Sequence, residues 1–486
     1  MYKKLFTPFV LGSLTVLLAL CTISCAVDPV TGQPQLMLLS ESDEINLGRQ
    51  TDQGVVQEYG VYHDQELEEY LNAFLQELAQ VSHRPNLPYQ LKIVDSQVVN
   101  AFAVPGGYVY FTRGILAHLN SEAELIGVMG HELGHITARH SAEQYSRAQL
   151  AQIGLGLGMS LSDSLRPLAG LAEFGVGMLF LKFSRDNERE SDDLGVEYAT
   201  KLGYDASQLA SFFDTLERMQ ESSGQGALPS WFSTHPNPVE RSRTVERKAK
   251  EWQQQLGVKD AKVDRGEYLK RIDGLVFGED PRQGLVDNNV FYHPDLRFQF
   301  PVPANWTLVN TRVFVQMLSP KEDAAIFFTI SNSRSTHEAA QEFAVKSKAT
   351  VIEYGRTRVS GLPAHRMVWQ IDSQQGFLQA ISYFIQKDAR VYLFHGFSSV
   401  GRFRSYRPTF ESVMMRFDEL RNPKMLNAKP SRIRIRATPK AMSMRQALRA
   451  LGAQEDELEE LARLNGKGLD DPVPGNTLLK IVEKGR

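Results

Sequence analysis

Cysteine is nearly absent. Among 486 residues only Cys21 and Cys25 occur, both at the end of an N-terminal apolar run. Beyond them no disulfide can staple the fold and no thiolate can hold a metal, so any metal must sit on histidines and carboxylates. An excess of either charge is lacking too. There are 54 Lys and Arg against 57 Asp and Glu, a formal net charge of −3, and the basic footprint of a nucleic-acid binder is missing. No second stretch reads as a bilayer span: Leu168 to Phe180 is nearly apolar, but Glu173 and the glycines interrupt it. What remains is ordinary globular material, 42% apolar and 23% charged, with length for about two to four domains.

The N-terminus reads as targeting rather than fold. Lys3 and Lys4 precede an apolar stretch from Leu5 to Leu20, and Thr22-Ile23-Ser24-Cys25 follows. Small Ser24 before Cys25 resembles the lipobox of bacterial lipoproteins. That resemblance implies a signal segment over 1–25, lipid on Cys25 and a body in the periplasm. With Ala26 instead of Asp, attachment to the outer membrane is expected. The alternative is an uncleaved membrane anchor, which also places the body outside the cytoplasm.

The chain then divides by period into a multidomain α+β protein. Residues 26–256 are mainly helical: Leu67, Tyr70, Leu71, Phe74, Leu75 and Leu78 make one apolar stripe on a helix capped by Asp64. Tyr89 to Val94 and Tyr108 to Thr112 read as strands. A polar, charged linker spans 257–289. Over 290–421 the period changes to two, with strands at Phe298 to Pro301, Val313 to Leu318, Ala324 to Ile330, Ala364 to Ile371, Leu378 to Ile385 and Val391 to Phe397, interrupted by two helices. This α/β sandwich resembles the fold of Mog1 and PsbP proteins; His365 and His395 in its strands are expected to be structural. Residues 430–486 read strand, helix, helix, strand and resemble a LysM-like module, which implies either glycan binding at the cell wall or a small packing domain.

The chemistry is concentrated at Ser121 to His140. Ser121 and Glu124 read as a capping box opening a helix, and His131-Glu132-Leu133-Gly134-His135 is H-E-x-x-H. His131 and His135 are about 40° apart around that helix, so both imidazoles face one zinc, with Glu132 beside it as general base. Gly127, Gly130 and Gly134 each cost a helix about 1 kcal/mol, which implies the close approach of another backbone. His140 falls about 180° away from His131 on a continuous helix and is not expected at the metal. The third ligand must be a carboxylate from another helix. Ser184 to Ala199 offers Glu188 as ligand and Asp192, one turn on, to orient an imidazole N–H, with Glu190 pointing elsewhere.

Together these residues resemble the HtpX/BepA-type gluzincins, metallopeptidase family forty-eight, over about Asp28 to Lys250. The match includes Asp28-Pro29-Val30-Thr31-Gly32, Asn100-Ala101-Phe102-Ala103 with Pro105-Gly106-Gly107, the H-E-x-x-H helix, Ser184-Arg185-x-x-Glu188 to Asp192, and His235-Pro236-Asn237-Pro238. Ser191 stands where the family usually has Ala. The resemblance implies one zinc on His131, His135 and Glu188, and a substrate-holding edge strand at Asn100, Ala101, Phe102 and Ala103. It also makes His235 and Arg241 candidate oxyanion donors, with His235 a further nitrogen able to move onto the zinc and close the site. Gly154 to Phe183 is expected to form a lid or a buried hairpin. The expected activity is proteolysis of misfolded or misassembled envelope polypeptides, with peptidoglycan or the outer-membrane assembly machinery as possible partners. The alternative is a chaperone-like or wall-binding protein with a little-used metal site.

Overall fold

The computed structural model describes residues 25–156, 182–222, 231–235, 238–373 and 376–485. The expected signal segment up to Ser24 and the apolar stretch Leu168 to Phe180 lie outside the described residues. Among those described, no helix is long and apolar enough to cross a membrane. The chain forms two compact units: Met1–Val56 with Gly60–Phe277 and Arg432–Glu483, and Gln57–Tyr59 with Gly278–Ser431 and Lys484–Arg486.

The first unit opens with a short antiparallel pair, β1 (Cys25–Val27) and β2 (Pro34–Leu36). Helix α1 (Glu41–Tyr59) is started by Ser40 and Asp43, which cap each other's backbone N–H. In α2 (Gln65–Val81) Asp64 accepts the Leu67 N–H, and Leu67, Leu71, Leu75 and Leu78 are buried as the stripe requires. Three strands follow: β3 (Gln90–Val94), β4 (Ala101–Val104) and β5 (Tyr108–Thr112). They lie in the order β3-β5-β4, with β3 parallel and β4 antiparallel to β5. Strand β4 thus takes one edge of the sheet. After α3 (Arg113–His118) comes α4 (Glu122–Thr137), every residue of which is buried.

Helix α4 is short because Arg139 sits at φ 59°, a left-handed conformation that stops the helix. A separate helix, α5 (His140–Gly156), starts at once. Helices α6 (Arg185–Lys201), α7 (Gln208–Ser222), α8 (Trp231–Thr234) and α9 (Pro238–Leu256) follow. The three glycines of α4 face neighbours at backbone distance. A Cβ on Gly130 would lie 3.0 Å from Gly195 of α6, one on Gly134 2.9 Å from Ser191, and one on Gly127 3.0 Å from Leu209 of α7.

The stretch read as a polar linker is structured. It contains α10 (Arg265–Arg271) and β6 (Val276–Phe277), and Tyr268, Leu269 and Ile272 are buried in the main core. Seven residues, about two helical turns, carry too few apolar positions to show a period. Strand β6 also pairs beyond the second unit, with residues of the C-terminal segment.

The second unit has a seven-stranded antiparallel sheet. Its strands are β10 (Thr307–Asn310), β11 (Phe314–Leu318), β12 (Ala324–Ser331), β13 (Thr350–Val359), β14 (Leu362–Ser373), β15 (Gly376–Lys387) and β16 (Arg390–Ser399), in the order β10-β11-β12-β16-β15-β14-β13. A smaller sheet of β7 (Leu285–Asp287), β8 (Val290–His293), β9 (Phe298–Pro301) and β17 (Asp418–Glu419) accompanies it. Alternate residues of the long strands enter two cores: Val368, Ile381 and Phe394 share one with α12 (Val400–Met414), while Met367, Ala380 and Leu393 share the other with α11 (Thr336–Ser347). The two strand histidines are held inside, His365 Nδ1 2.8 Å from Thr336 Oγ1 and His395 Nδ1 2.7 Å from Ser382 Oγ.

The C-terminal segment returns to the first unit. Strand β18 (Ser431–Ala437) lies between β6 and β21 (Leu478–Glu483) in one sheet; β19 (Met442–Ser443) and β20 (Pro472–Val473) pair separately. Helices α13 (Met444–Ala450) and α14 (Leu458–Leu464) contribute Leu448, Leu461 and Leu464 to the core that also holds Leu133 of α4. The expected strand-helix-helix-strand order is present, packed into the core of the first unit.

Candidate metal centre

Helices α4 and α6 bring the sequence-selected residues together. His131, His135, Glu188 and His235 each offer a ligand atom, and these atoms lie within 4.8 Å of one another, all buried. The Nε2 atoms of His131 and His135 are 3.2 Å apart. Glu188 has an oxygen 3.7 Å from His131 Nε2 and another 3.5 Å from His135 Nε2. His235 adds Nδ1, 3.0 Å from Glu188 Oε1 and 3.3 Å from His131 Nε2.

Each imidazole is turned inward by what holds its outer nitrogen. His131 Nδ1 lies 2.9 Å from Asp192 Oδ1; a carboxylate can only accept, so the proton is on Nδ1 and the Nε2 lone pair faces the cluster. His135 is fixed through a second histidine. His140 Nε2 donates to Glu190 Oε2 at 3.1 Å, which leaves its Nδ1 to accept from His135 Nδ1 at 3.0 Å. Sequence reasoning put His140 and Glu190 away from the site. The break at Arg139 swings His140 back beside His135, so it orients a ligand without being one.

Arg241, expected as an oxyanion donor, is committed elsewhere. It donates from Nε and Nη2 to the two oxygens of Asp192, both at 2.7 Å, and its Nη1 lies 2.6 Å from Glu188 Oε2. Two buried carboxylates side by side need a cation, and Arg241 supplies it. Burial pushes the Asp192 carboxyl up, but Arg241 and His131 outweigh that and hold it at about 2. Burial raises Glu132 above the ordinary range and drives His135 well below it. For His235 burial is outweighed by Glu188 and Glu132, and the ring is raised.

Aromatic rings that sequence reasoning missed pack on the histidines. Phe183 stacks on His135 with centroids 4.0 Å apart, and Trp231 stacks on His235 at 4.2 Å. Trp231 precedes His235 by four residues, one turn, which is the one signal that could have marked it. Beside the site, β4 carries Ala101, Phe102 and Ala103, and Asn100 donates its N–H to Thr112 Oγ1 just before the strand.

The donor set fits a metal ion. Two imidazole nitrogens and a carboxylate converge on one point, and Glu132 Oε1 is buried beside them without a hydrogen-bond partner. Two histidines one helical turn apart, an intervening glutamate and a glutamate from a second helix define the gluzincin class of metal centre. Residues 65–249 match the model of peptidase family M48. The mitochondrial metalloendopeptidase OMA1 of Schizosaccharomyces pombe is 31% identical over 240 residues, 48% of this chain and 67% of that one. The chain belongs to peptidase family M48. It is also 31% identical over 200 residues to a beta-barrel assembly-enhancing protease of Vibrio cholerae, and 28% identical over 188 residues to the corresponding protein of Escherichia coli K12. It spans 41% and 38% of their lengths. A solved structure of the PsbP protein of Synechocystis sp. PCC 6803 is similar with 11% identity and a TM-score of 0.24, covering 27% of this chain and 91% of that one.

Proposed function

We propose that the chain is a zinc endopeptidase of the bacterial cell envelope, hydrolysing peptide bonds of misfolded or misassembled membrane-associated proteins. The observation that carries this reading is the buried His131–His135–Glu188 cluster with Glu132 beside it, its Oε1 buried without a hydrogen bond and 3.6 Å from His235 Nε2. The beta-barrel assembly-enhancing proteases among the relatives support the envelope setting. The N-terminal pattern ending at Cys25 supports attachment to the outer membrane through lipid, and the LysM-like segment is compatible with contact to peptidoglycan.

His131, His135 and Glu188 would hold the zinc, whose Lewis acidity serves both the scissile carbonyl and the attacking water. Glu132 takes the proton from that water and returns it to the leaving amine; burial, which raises its carboxyl, suits it to both transfers. Asp192 and the His140–Glu190 pair keep the imidazoles in the ligating tautomer. An extended substrate would pair along β4, aligned by backbone hydrogen bonds. Arg241 holds Glu188 and Asp192 in place. His235 has two roles in this reading: within the ligand cluster it closes the site at rest, and displaced by substrate it donates to the oxyanion.

The deciding experiment is Glu132→Gln. Zinc by atomic absorption should stay at one per chain, while cleavage of an unfolded casein falls by about 10²–10⁴-fold. A zinc-free native protein, or an undiminished variant, removes the assignment. Glu188→Ala should instead lower zinc content itself.

A further inference from the structure

Lys480 of β21 has no exposed surface. Its ammonium donates to the carbonyls of Ala117, at 2.8 Å, and Leu119, at 2.9 Å, where α3 ends and the chain turns into α4. Its backbone is fixed in turn: the Asn465 side chain accepts the Lys480 N–H at 2.8 Å and donates to its carbonyl at 2.9 Å. The same turn is gripped from two more sides. Arg265 donates from Nη1 to the backbone and side-chain oxygens of Asn120, both at 3.0 Å. Glu124 Oε2 accepts the Asn120 N–H at 2.7 Å, one residue further back than a capping box requires. Burial pushes the Glu124 carboxyl up to about 7 and pulls Lys480 well below its ordinary range.

A module merely stacked on the core would seal this position with an apolar residue, because a buried ammonium is costly to keep. What the lysine adds is direction. Its two carbonyl partners fix where α3 ends, and so where α4 begins. Glu124 and His131 are seven residues apart, about 10 Å along the axis and on one side of the helix. A slide of α4 carries His131, Glu132 and His135 together, while Glu188 and Asp192 stay on α6. With ligand separations of 3.0–3.7 Å, small slides break the cluster.

We infer that residues 432–483 are an in-cis positioning element of the metal centre, with Lys480, clamped on the turn between α3 and α4, setting the metal helix against α6. The inference rests on reading His131 and His135 as metal ligands. It makes Lys480 a positioning residue that acts through α4 and touches neither substrate nor metal. The segment resembling a wall-binding module is then part of what makes the catalytic site.

The test uses the full-length chain with Co²⁺ as a spectroscopic probe and Zn²⁺ under chelator competition. Lys480→Met should keep the far-UV circular dichroism, weaken metal binding about 10–100-fold and alter the visible cobalt bands. Wild-type affinity and bands in Lys480→Met would overturn the inference. If that variant fails to fold, a protease site built at exposed Lys429 allows the folded wild-type core to be nicked. The C-terminal fragment should stay bound, and its release by urea should coincide with loss of the cobalt bands. Release with the bands intact overturns the inference alone, whereas a wild-type chain that takes up neither ion overturns the metal reading itself.

Discussion

A histidine that binds a metal must present one nitrogen and commit the other. Here Asp192 commits His131 directly, and Glu190 commits His135 through His140. Asp192→Asn keeps the volume but allows the amide to face His131 with a donor, and it leaves Arg241 with one buried carboxylate instead of two. Metal affinity should fall about 10–100-fold by chelator competition. Glu190→Gln, which still accepts from His140, should lose far less. His131, Glu132 and His135 were legible in the sequence because H-E-x-x-H fixes their spacing on one helix, whereas Glu188 comes from a second helix. His140 was not, because that reading assumed a continuous helix. A left-handed arginine at 139 has no sequence signature, whereas a glycine there would have announced the stop.

Between elements the decisive feature is the crossing of α4 and α6. A Cβ at Gly195 would stand 2.8 Å from the His131 backbone nitrogen and 3.1 Å from the Gly130 carbonyl carbon. Neither can yield without moving a ligand. Gly195→Ala should therefore cost about 1–3 kcal/mol by overpacking, a fall in Tm of about 1–2 °C per kcal/mol for a unit of this size, and should lower metal affinity as well. Gly203, with nothing near its missing Cβ, serves as the control for crowding, though its φ of 80° adds strain of its own. Strands of the second unit were legible where alternation was clean, as in Phe298 to Pro301, or where a strand is apolar on both faces, as in Ala380 to Ile385. Strand β13 was not: it is an edge strand exposed along nearly its whole length, so no buried face imposes a period.

At the scale of the molecule, two units with separate cores should unfold as two calorimetric transitions, and added zinc should raise only the one containing α4 and α6. Acid should act on the second unit through His395, whose ring burial holds down at about 4. Above the unfolded value near 6.5 neither state carries the proton, and the stabilisation is complete. Between 6.5 and 4 the unfolded chain binds it first, so stability falls with pH, by about 3 kcal/mol at the limit for this one ring. Urea titrations at pH 7 and pH 4.5 measure the loss, and His395→Phe should reduce it without abolishing it, because burial also holds His293 of the same unit at about 4. A strand-rich stretch was legible from the change of period at residue 290, while the compact second unit begins at Gly278. The return of the C-terminal segment to the first core was not, because a strand pairing such as β6 with β18 joins residues far apart in sequence.

That return has a consequence in time. Strand β6 and the turn before α4 are synthesised before Gly278–Ser431, and their partners β18 and Lys480 only after it. A chain emerging from the ribosome or threading through a membrane, N-terminus first, carries H-E-x-x-H long before it carries the residues that hold its helix in register. On the inference drawn for Lys480, the metal helix is set in register only once residues 432–483 have been made. The interleaved order of the chain thus makes completion of the metal centre a late event in folding.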